Sequence, residues 1–418
     1  MMPRHLTLPR SRRTGFTLIE LMVSLTVGGI AISSIYAVGS ASTRVFHQQQ
    51  QVANAQTTLR MALDQVKRDI ARAGYLSTPG ATLAGQVCGT VDATLVPAGA
   101  PLSGLTRFEN DRAVNAGNQN VNLGPGAITV NRAAGFTADD IVLMANYETS
   151  SEYPGVSMVS PGTVSIGANW HAFRRDFTNW YDPVPALATD DFAFRRAFAV
   201  NRLIRLRLST NLYHFATVTR VNIPAAASPD AITMDFVPQL PADCQAAAAT
   251  AWIAPVSAIR YTVRDATANT LDTERFDQSH GLMAQLVREE VLPGDKRTPL
   301  LMGVNNQPNR RAILDYVVGF NLSFTMNGAA GGIGVRDLYD VGIDIDTALT
   351  VNANPERVRS VIIDLAVRTP EQDPTFPWSA ANCGGMRCYQ VFSDRPGSAR
   401  VRRARAEVFV PNIASEGY

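Results

Sequence analysis

The chain has 418 residues, of which 46% are hydrophobic and 18% are charged, and its formal net charge is +2. This composition excludes a disordered or collagen-like chain, and the length has room for about two or three domains. The first fifteen residues hold four arginines and no acid, so the remainder has 34 basic and 36 acidic residues. That near-neutral balance indicates neither a nucleic-acid partner nor binding to a membrane surface by charge.

The N-terminal segment combines a basic leader with a long apolar run. Between Phe16 and Val38 the only charged residue is Glu20. As a helix this run would be roughly 34 Å long, which is enough to cross a bilayer. The leader arginines predict a cytoplasmic N-terminus, with the rest of the chain on the other side of the membrane. A carboxylate inside the bilayer costs about 2.5–3.5 kcal/mol even on an insertion scale, so Glu20 requires a partner.

Two simpler explanations of this segment remain open. A secretory signal has an apolar core of about 7–15 residues, which is shorter than this run, but residues 40–42 offer a small-residue cleavage site. An ordinary single-span anchor would fit the length and leave Glu20 without a role.

The junction at residue 15 resembles the class III leader of type IV pilins and pseudopilins. Gly15 is followed by Phe-Thr-Leu-Ile-Glu-Leu at residues 16–21, which matches the pattern of that family without a substitution. The resemblance implies cleavage between Gly15 and Phe16 by prepilin peptidase and N-methylation of the new Phe16 amine. It also implies that Glu20 acts in filament assembly by pairing with the N-terminal amine of a neighbouring subunit.

Helical periodicity continues beyond the apolar run. Apolar residues recur at steps of three and four as far as Ala73, and Gly74 then follows an arginine-bearing turn as a suitable stop. We predict one helix from about Phe16 to Ala73. Residues 1–15 form the leader, residues 16–38 cross the membrane or lie in a filament core, and residues 39–74 are an amphipathic continuation. The pair at residues 28–29, both glycine, marks either a bend or close helix packing.

The rest of the chain predicts mainly strands. Residues 75–250 are expected to form a β-rich elaboration, and residues 251–418 a β-sheet with a C-terminal loop region. Alternating or buried-strand patterns occur at 140–145, 203–208, 215–221, 231–236, 256–264, 281–289, 313–324, 358–368 and 401–411.

Residues 147–191 are predicted to be rich in loops and contain an aromatic and basic cluster. These side chains either cover a small satellite core, with arginine stems over the rings, or bind DNA or a glycan. The cluster consists of Trp170, His171, Arg174, Arg175, Trp180 and Tyr181.

The strand order has a resemblance of its own. The strand at 259–264, the segment at 286–289 and the strands from Ile313 and Val358 resemble the PilW family of minor type IV pilins and, more distantly, type II secretion pseudopilin J. The implied fold is α+β, with a long N-terminal helix packed on an antiparallel headgroup sheet that carries a large β-rich insertion. The implied protein is a minor pilin in the inner membrane, with a periplasmic headgroup. It would take part in pilus assembly, priming or a tip complex with other minor pilins and the major pilin. A secretion pseudopilin and a tip adhesin or DNA-binding pilin remain as alternatives.

Four cysteines lie beyond the apolar run, where an oxidising compartment would let them pair. Four cysteines allow three connectivities. The short spacing of Cys383 and Cys388 favours a local pair, which leaves Cys88 with Cys244. A zinc site is disfavoured because the spacing is C-x4-C and no histidine lies nearby.

No motif indicates an enzyme or a cofactor. None of the five histidines belongs to an HExxH pattern, and there is no nucleophile elbow, Walker A loop or strand-linked GxGxxG. Four aspartates lie close together in a predicted loop and are weak candidates for Ca²⁺, whose ligands are oxygen atoms. Their spacing matches no EF-hand, and a solvated acidic loop is the commoner outcome for Asp337, Asp340, Asp344 and Asp346.

Overall fold

The computed structural model describes residues 15–77, 87–88, 103–108, 138–156, 158–166, 175–177, 193–222, 232–246, 251–265, 284–293, 298–302, 307–327, 336–339, 351–352, 355–378, 388–391 and 396–414. The chain divides into two compact units, Met1–Asn54 and Ala55–Tyr418. The first unit contains the beginning of a long helix, and the second contains the end of that helix together with the strands.

The long helix, α1, spans Leu18–Arg72 without interruption and therefore continues through both glycines at residues 28–29. Gly74 follows two residues after its end and has a φ of +81°, a left-handed conformation that favours glycine. A Cβ at Gly74 would also lie 3.0 Å from the side chain of Ile413. The Gly74 N–H donates to the carbonyl of Met144 at 2.9 Å, so the helix end is bonded to a strand. The single long helix predicted from the periodicity is present.

The strands, in chain order, fill most of the second unit. They are β1 Leu105–Phe108, β2 Asp140–Ala145, β3 Tyr153–Val156, β4 Met158–Ser160, β5 Thr163–Ile166, β6 Leu203–Arg207, β7 Tyr213–Asn222, β8 Ile232–Val237, β9 Ala251–Asp265, β10 Ala284–Val291, β11 Leu301–Met302, β12 Gln307–Pro308, β13 Arg310–Asp315, β14 Val317–Asn327, β15 Arg336–Tyr339, β16 Val358–Arg368, β17 Cys388–Tyr389 and β18 Ala399–Phe409. Short helices include α2 Ala242–Gln245 and α3 Pro411–Ala414, with a 3₁₀ turn at Pro355–Arg357, and residues 193–197 are also helical.

The strands form two large antiparallel sheets. An eleven-stranded sheet has the order β1-β2-β9-β6-β7-β8-β5-β4, with β3 and β10 also paired to β9, and β13 paired to β10. A five-stranded sheet has the order β15-β14-β16-β18-β17, and β11 and β12 pair separately. The α+β class, with a long apolar N-terminal helix and antiparallel sheets, is confirmed.

Strand β9 is long enough to pair with two different strands of the larger sheet on successive parts of its length. Its first part pairs with β6, from Trp252 to Val256, and its last part pairs with β10, from Ala258 to Asp265. Because side chains alternate along a strand, Ile259 faces the core beneath α1, whereas Val256 lies in a separate cluster on the other face. The strand thus pairs with segments on both sides of residue 250.

The two largest hydrophobic cores of the described residues lie in the second unit. The helix-backed core joins residues 55–73 with side chains of β2, β9, β10, β14 and β16. The insertion core lies among β3, β5, β6, β7, β8 and the start of β9. At its centre four aromatic rings, of Tyr153, Phe177, Phe194 and Phe198, have centroids 4.9 to 6.2 Å apart.

Three predictions about secondary structure are wrong. The single strand expected at 313–324 is divided at Tyr316, whose φ of +57° turns the chain from β13 in the larger sheet to β14 in the smaller one. The loop-rich region at 147–191 contains three strands: β3 pairs with the distant β9, β5 pairs with the distant β8, and β4 pairs with β5. Asp337 lies in β15 opposite Met326, not in a loop.

Candidate assembly site

The first turn of α1 has a reciprocal set of hydrogen bonds between Thr17 and Glu20. The Thr17 N–H and hydroxyl donate to Oε2 of Glu20 at 2.9 and 3.0 Å, and the Glu20 N–H donates to Oγ1 of Thr17 at 3.3 Å. This is a capping box, in which a threonine before the helix and a glutamate three residues later satisfy each other's backbone N–H groups. The carboxylate is consequently fixed at the positive end of the helix dipole.

Glu20 lies in a segment whose apolar side chains have no cover within the first unit. The large hydrophobic side chains from Phe16 to Val38 are 56% to 88% exposed. A Cβ added at Gly28 or Gly29 would meet no atom within 4 Å. Nothing in the described chain therefore requires glycine at these two positions, and both leave a flat surface for another helix.

Six hydroxyl groups of α1 between residues 24 and 43 are satisfied within the helix itself. Each of the six donates to a backbone carbonyl three or four residues earlier. Polar groups in lipid must be satisfied internally in this manner. The residues are Ser24, Thr26, Ser33, Ser34, Ser40 and Thr43.

The junction between Gly15 and Phe16 lies outside the helix. Both residues precede α1, the side chain of Phe16 is 88% exposed, and no atom lies within 4 Å of a Cβ placed on Gly15. The leader arginines at residues 4, 10, 12 and 13 lie outside the described residues. The junction between Gly15 and Phe16 is therefore exposed, and the Glu20 carboxylate is fixed in the adjoining first turn of α1.

Residues 10–36 match the family model of the prokaryotic N-terminal methylation motif. The N-terminus is type IV pilin-like. The motif covers the end of the leader, the junction and the exposed apolar part of α1. By length and composition, α1 is the one helix in the described part of the chain that is able to cross a membrane.

The other comparisons add little. No curated protein matches the chain. Among solved structures, the chain is similar to a type IV-like pilin, TTHA1219 from Thermus thermophilus, with 13% identity over 54% of this chain and 94% of that chain. The TM-score is 0.17, which is too low to establish a shared fold.

The end of α1 is held by a buried polar cluster that the sequence did not reveal. The Oδ2 atom of Asp69 accepts from Nε of Arg288 at 2.7 Å and from the hydroxyl of Tyr261 at 2.6 Å. The hydroxyl of Tyr147 donates to the carbonyl of Asp69 at 2.8 Å. Burial, and then the Asp69 charge, raises the pKa values of Tyr147 and Tyr261, so both phenols keep the protons that they donate. We name these four residues the helix-docking cluster.

A second buried network joins the insertion to the rest of the larger sheet. The side chain of Arg202 is fully buried and donates from Nε and Nη2 to the two carboxylate oxygens of Glu290, both at 2.7 Å. Nη2 also lies 3.4 Å from Glu148, and Asn309 donates to Glu290 at 2.8 Å. This fork-to-fork pairing satisfies a charge that would be costly to bury alone.

The remaining predicted site residues belong to the second unit of the chain. Cys88 and Cys244 form a disulfide at the insertion core, with Cα atoms 6.3 Å apart. Cys388 is disulfide-bonded, and Cys383 lies outside the described residues. Asp340, Asp344 and Asp346 also lie outside them, and the described part of the chain holds no group of residues able to bind a metal ion.

The aromatic and basic cluster at 170–181 is described only around Arg175. That guanidinium donates to Asp176 at 2.9 Å and to Ser150 at 3.3 Å, and therefore serves contacts within the chain. The other predicted members, Trp170, His171, Arg174, Trp180 and Tyr181, lie outside the described residues.

The role of Thr17 in the capping box was not predicted, although the sequence contains a signal for it. The signal is the T-x-x-E spacing directly before an apolar run, which is the pattern of a capping box. Asp69 gave a weaker signal, since a single acid beside the apolar stripe of an amphipathic helix is usually a solvated residue.

Proposed function

We propose that this chain is a minor type IV pilin that enters a filament, its priming complex or its tip through α1. Prepilin peptidase would cleave between Gly15 and Phe16, and the Phe16 amine would be methylated. Glu20 would then pair with the N-terminal amine of a neighbouring subunit, while the headgroup stays on the periplasmic side of the inner membrane. The partners would be other minor pilins and the major pilin.

The observation that supports this proposal best is the position of Glu20. It is the only charge in the apolar run, and the capping box fixes it in the first turn, five residues beyond the junction. An opposite charge supplied by a neighbouring amine would offset its cost where water is scarce, because charges attract strongly at low dielectric constant. The exposed apolar side chains around it would supply the remaining contact area.

The first experiment is N-terminal mass analysis of the protein purified from its native membrane. A chain that starts at methylated Phe16 is expected. A chain that starts at Met1 would indicate an ordinary membrane anchor, and one that starts near Ala41 would indicate a secreted protein. Either of these two results would contradict the proposal.

A pair of substitutions at Glu20 separates charge pairing from helix capping. Glu20→Ala removes both the charge and the acceptor, whereas Glu20→Gln keeps an amide oxygen that still caps the first turn. If charge pairing drives assembly, both variants should reduce incorporation into filaments by about tenfold or more, the equivalent of about 1.4 kcal/mol. Incorporation is measured by immunoblotting sheared filaments against the membrane fraction.

The headgroup should remain folded in both variants, because the hydrogen bonds of Glu20 are made to Thr17 in its own first turn. Limited proteolysis checks this point. Normal incorporation of Glu20→Gln together with a defect in Glu20→Ala would restrict Glu20 to capping, and normal incorporation of both would contradict the assembly role.

A pseudopilin of a type II secretion system is the alternative within the same class. It shares the leader and the helix, so α1 does not distinguish the two. Deletion of the gene distinguishes them by phenotype: loss of surface pili with normal protein secretion supports the pilus, and the reverse supports the secretion system.

A further inference from the structure

The loop between β2 and β3, residues 146–152, contacts other segments of the chain at every one of its positions. We name it the β2–β3 loop. Its first residue, Asn146, is fully buried, and its side-chain amide donates to Thr149 and Ser151 at 2.8 and 3.1 Å. The Oδ1 atom of Asn146 also accepts from the Thr149 N–H at 2.9 Å. These internal hydrogen bonds join the two ends of the loop, so a displacement of one end strains the other.

The first residues of the β2–β3 loop are bonded to the end of α1. Nη2 of Arg72 donates to the carbonyls of Asn146 and Thr149 at 2.6 and 3.1 Å. The hydroxyl of Tyr147 donates to the carbonyl of Asp69 at 2.8 Å, and the Arg72 guanidinium lies 5.7 Å from the centre of the Tyr147 ring. Displacement of the last turn of α1 would therefore break contacts at three positions of the loop.

The two acids of the β2–β3 loop are bonded to the insertion, each through two arginines. These arginines lie in β6 and in the segment before it, which supply Phe198, Ile204 and Leu206 to the insertion core. The carboxylate side chains are 16% and 13% exposed, so their pairs are screened less than pairs on the surface. The pairs are Glu148 with Arg196 and Arg202, at 3.2 and 3.4 Å, and Glu152 with Arg205 and, at 2.9 Å, with Arg207.

We propose that the β2–β3 loop couples the docking of the last turn of α1 to the closure of the insertion core. The loop would open and close as one unit, so that a loss of contacts at its α1 end loosens β6 and the segment before it. The effect would also run in reverse, because coupling between two sites is reciprocal. The insertion would thereby respond to whether the end of α1 is docked. Both ends of the loop lie in the second compact unit, so this coupling does not depend on a filament.

Hydrogen exchange of the full-length protein in detergent micelles measures the coupling from the α1 end. The reporter amides are those of Asn201 and Val218, which bond to backbone carbonyls of the insertion at 2.7 and 3.0 Å. The reference amides are those of Thr369 and Asp373, which bond to backbone carbonyls beside the smaller sheet at 2.9 and 3.0 Å. Arg72→Ala should speed exchange about fivefold or more at the reporter amides and less than about twofold at the reference amides, because local opening needs less free energy than global unfolding.

The matched control is Arg68→Ala, the same substitution one turn earlier on α1. Arg68 is exposed, and its Nε donates to the carbonyl of Asp64 within the helix at 3.3 Å. Arg68→Ala should leave exchange at the reporter and reference amides unchanged. Arg72→Lys keeps the charge and is the milder variant for use if Arg72→Ala does not fold. It should still speed exchange at the reporter amides about twofold or more, since an ammonium does not reproduce the fork of the guanidinium.

Glu152→Gln measures the coupling from the insertion end. The substitution removes the charge that pairs with Arg205 and Arg207. The reporter is then the amide of Gly74 beyond the end of α1, which bonds to the carbonyl of Met144 at 2.9 Å. Exchange at this amide should speed up about threefold or more, because the coupling is reciprocal.

A double-mutant cycle tests whether the loop itself carries the coupling. In the double variant Arg72→Ala with Glu152→Gln, the acceleration at the reporter amides should be at least about threefold smaller than the product of the two single accelerations, because either change already opens the loop. Asn146→Ala keeps the carbonyl that bonds to Arg72 but removes the internal bonds of the loop. In that background the two accelerations should multiply.

Three outcomes would overturn the proposal. Unchanged exchange at the reporter amides in Arg72→Ala and Arg72→Lys would mean that the two ends of the loop open independently. Equal acceleration at the reporter and reference amides would mean that the substitution destabilises the whole unit. Accelerations that already multiply with Asn146 in place would mean that the β2–β3 loop does not carry the coupling.

Discussion

The two halves of α1 differ in whether their apolar side chains are buried. In the exposed half, residues 18–54, the large apolar side chains from residue 18 to 38 are at least 56% exposed, and the one acid, Glu20, bonds only to its own first turn. In the docked half, residues 55–72, the apolar stripe is buried and includes Val66 and Ile70 at 0% exposure. The same helix therefore has one half that contributes to folding and one half whose contacts are left for other molecules.

The two halves of α1 also differ in the partners of their charged side chains. Asp69 and Arg72 of the docked half bond to strand and loop residues more than seventy positions away. The charged residues of the exposed half are Glu20 and Arg44, and Glu20 is bonded to Thr17 in its own first turn. Substitutions in the docked half should consequently change the free energy of unfolding, and those in the exposed half should change assembly or membrane association.

The largest effect on stability is expected at Asp69. Asp69→Ala removes the carboxylate that accepts from Arg288 and Tyr261, and it leaves both donors without that partner inside the protein. Breaking a buried pair by removing one member costs about 3–5 kcal/mol. The free energy of unfolding of the headgroup should fall by about 3–5 kcal/mol, measured by urea titration of the full-length protein in detergent.

The matched control is Asp64→Ala, one turn earlier on the same helix. Asp64 is 68% exposed and lies 3.7 Å from Lys67, an exposed pair that contributes about 0.5 kcal/mol or less. Equal losses at Asp64 and Asp69 would mean that the helix-docking cluster adds nothing beyond ordinary helix electrostatics.

A leucine in each half gives the second test. Leu59 is 3% exposed in the helix-backed core, so Leu59→Ala should cost about 2–4 kcal/mol of unfolding free energy. Leu25 is 71% exposed, so Leu25→Ala should change unfolding by less than about 0.5 kcal/mol and should lower only incorporation into filaments. A stability loss at Leu25 comparable to that at Leu59 would contradict the division of α1.

The sequence predicted the helix well because its signals are local. The three-and-four periodicity and Gly74 both lie within a few residues of the structure they specify. Strand β16 was predicted at 358–368 for the same reason, since its centre is apolar on both sides of the single acid Asp364. Local signals therefore gave the fold class and the N-terminal end of the candidate site.

The features that the sequence missed depend on distant residues. Tyr316 divides β13 from β14, and its positive φ is accompanied by the guanidinium of Arg368 at 4.9 Å from its ring. The helix-docking cluster joins residues separated by as many as 219 positions. No spacing rule reports such contacts, because an aspartate bonded to a distant arginine has the same neighbours in sequence as a solvated one.

The smallest effect is expected at the last turn of α1. Nη2 of Arg72 donates to the carbonyls of Asn146 and Thr149 at 2.6 and 3.1 Å, and its guanidinium lies 5.7 Å from the centre of the Tyr147 ring. Arg72→Ala should cost about 1–2 kcal/mol through the loss of these contacts, because the two carbonyls are only partly buried and water replaces part of the bonding. Arg72→Lys should recover less than half of this lost stability, since a single ammonium cannot reproduce the planar fork of the guanidinium.

Arg44→Ala in the exposed half is the control and should leave the urea midpoint unchanged. If Arg72→Ala also left it unchanged, the last turn would be held by the Gly74 bond to Met144 and by packing against Ile413, and the polar contacts of Arg72 would contribute nothing measurable to docking.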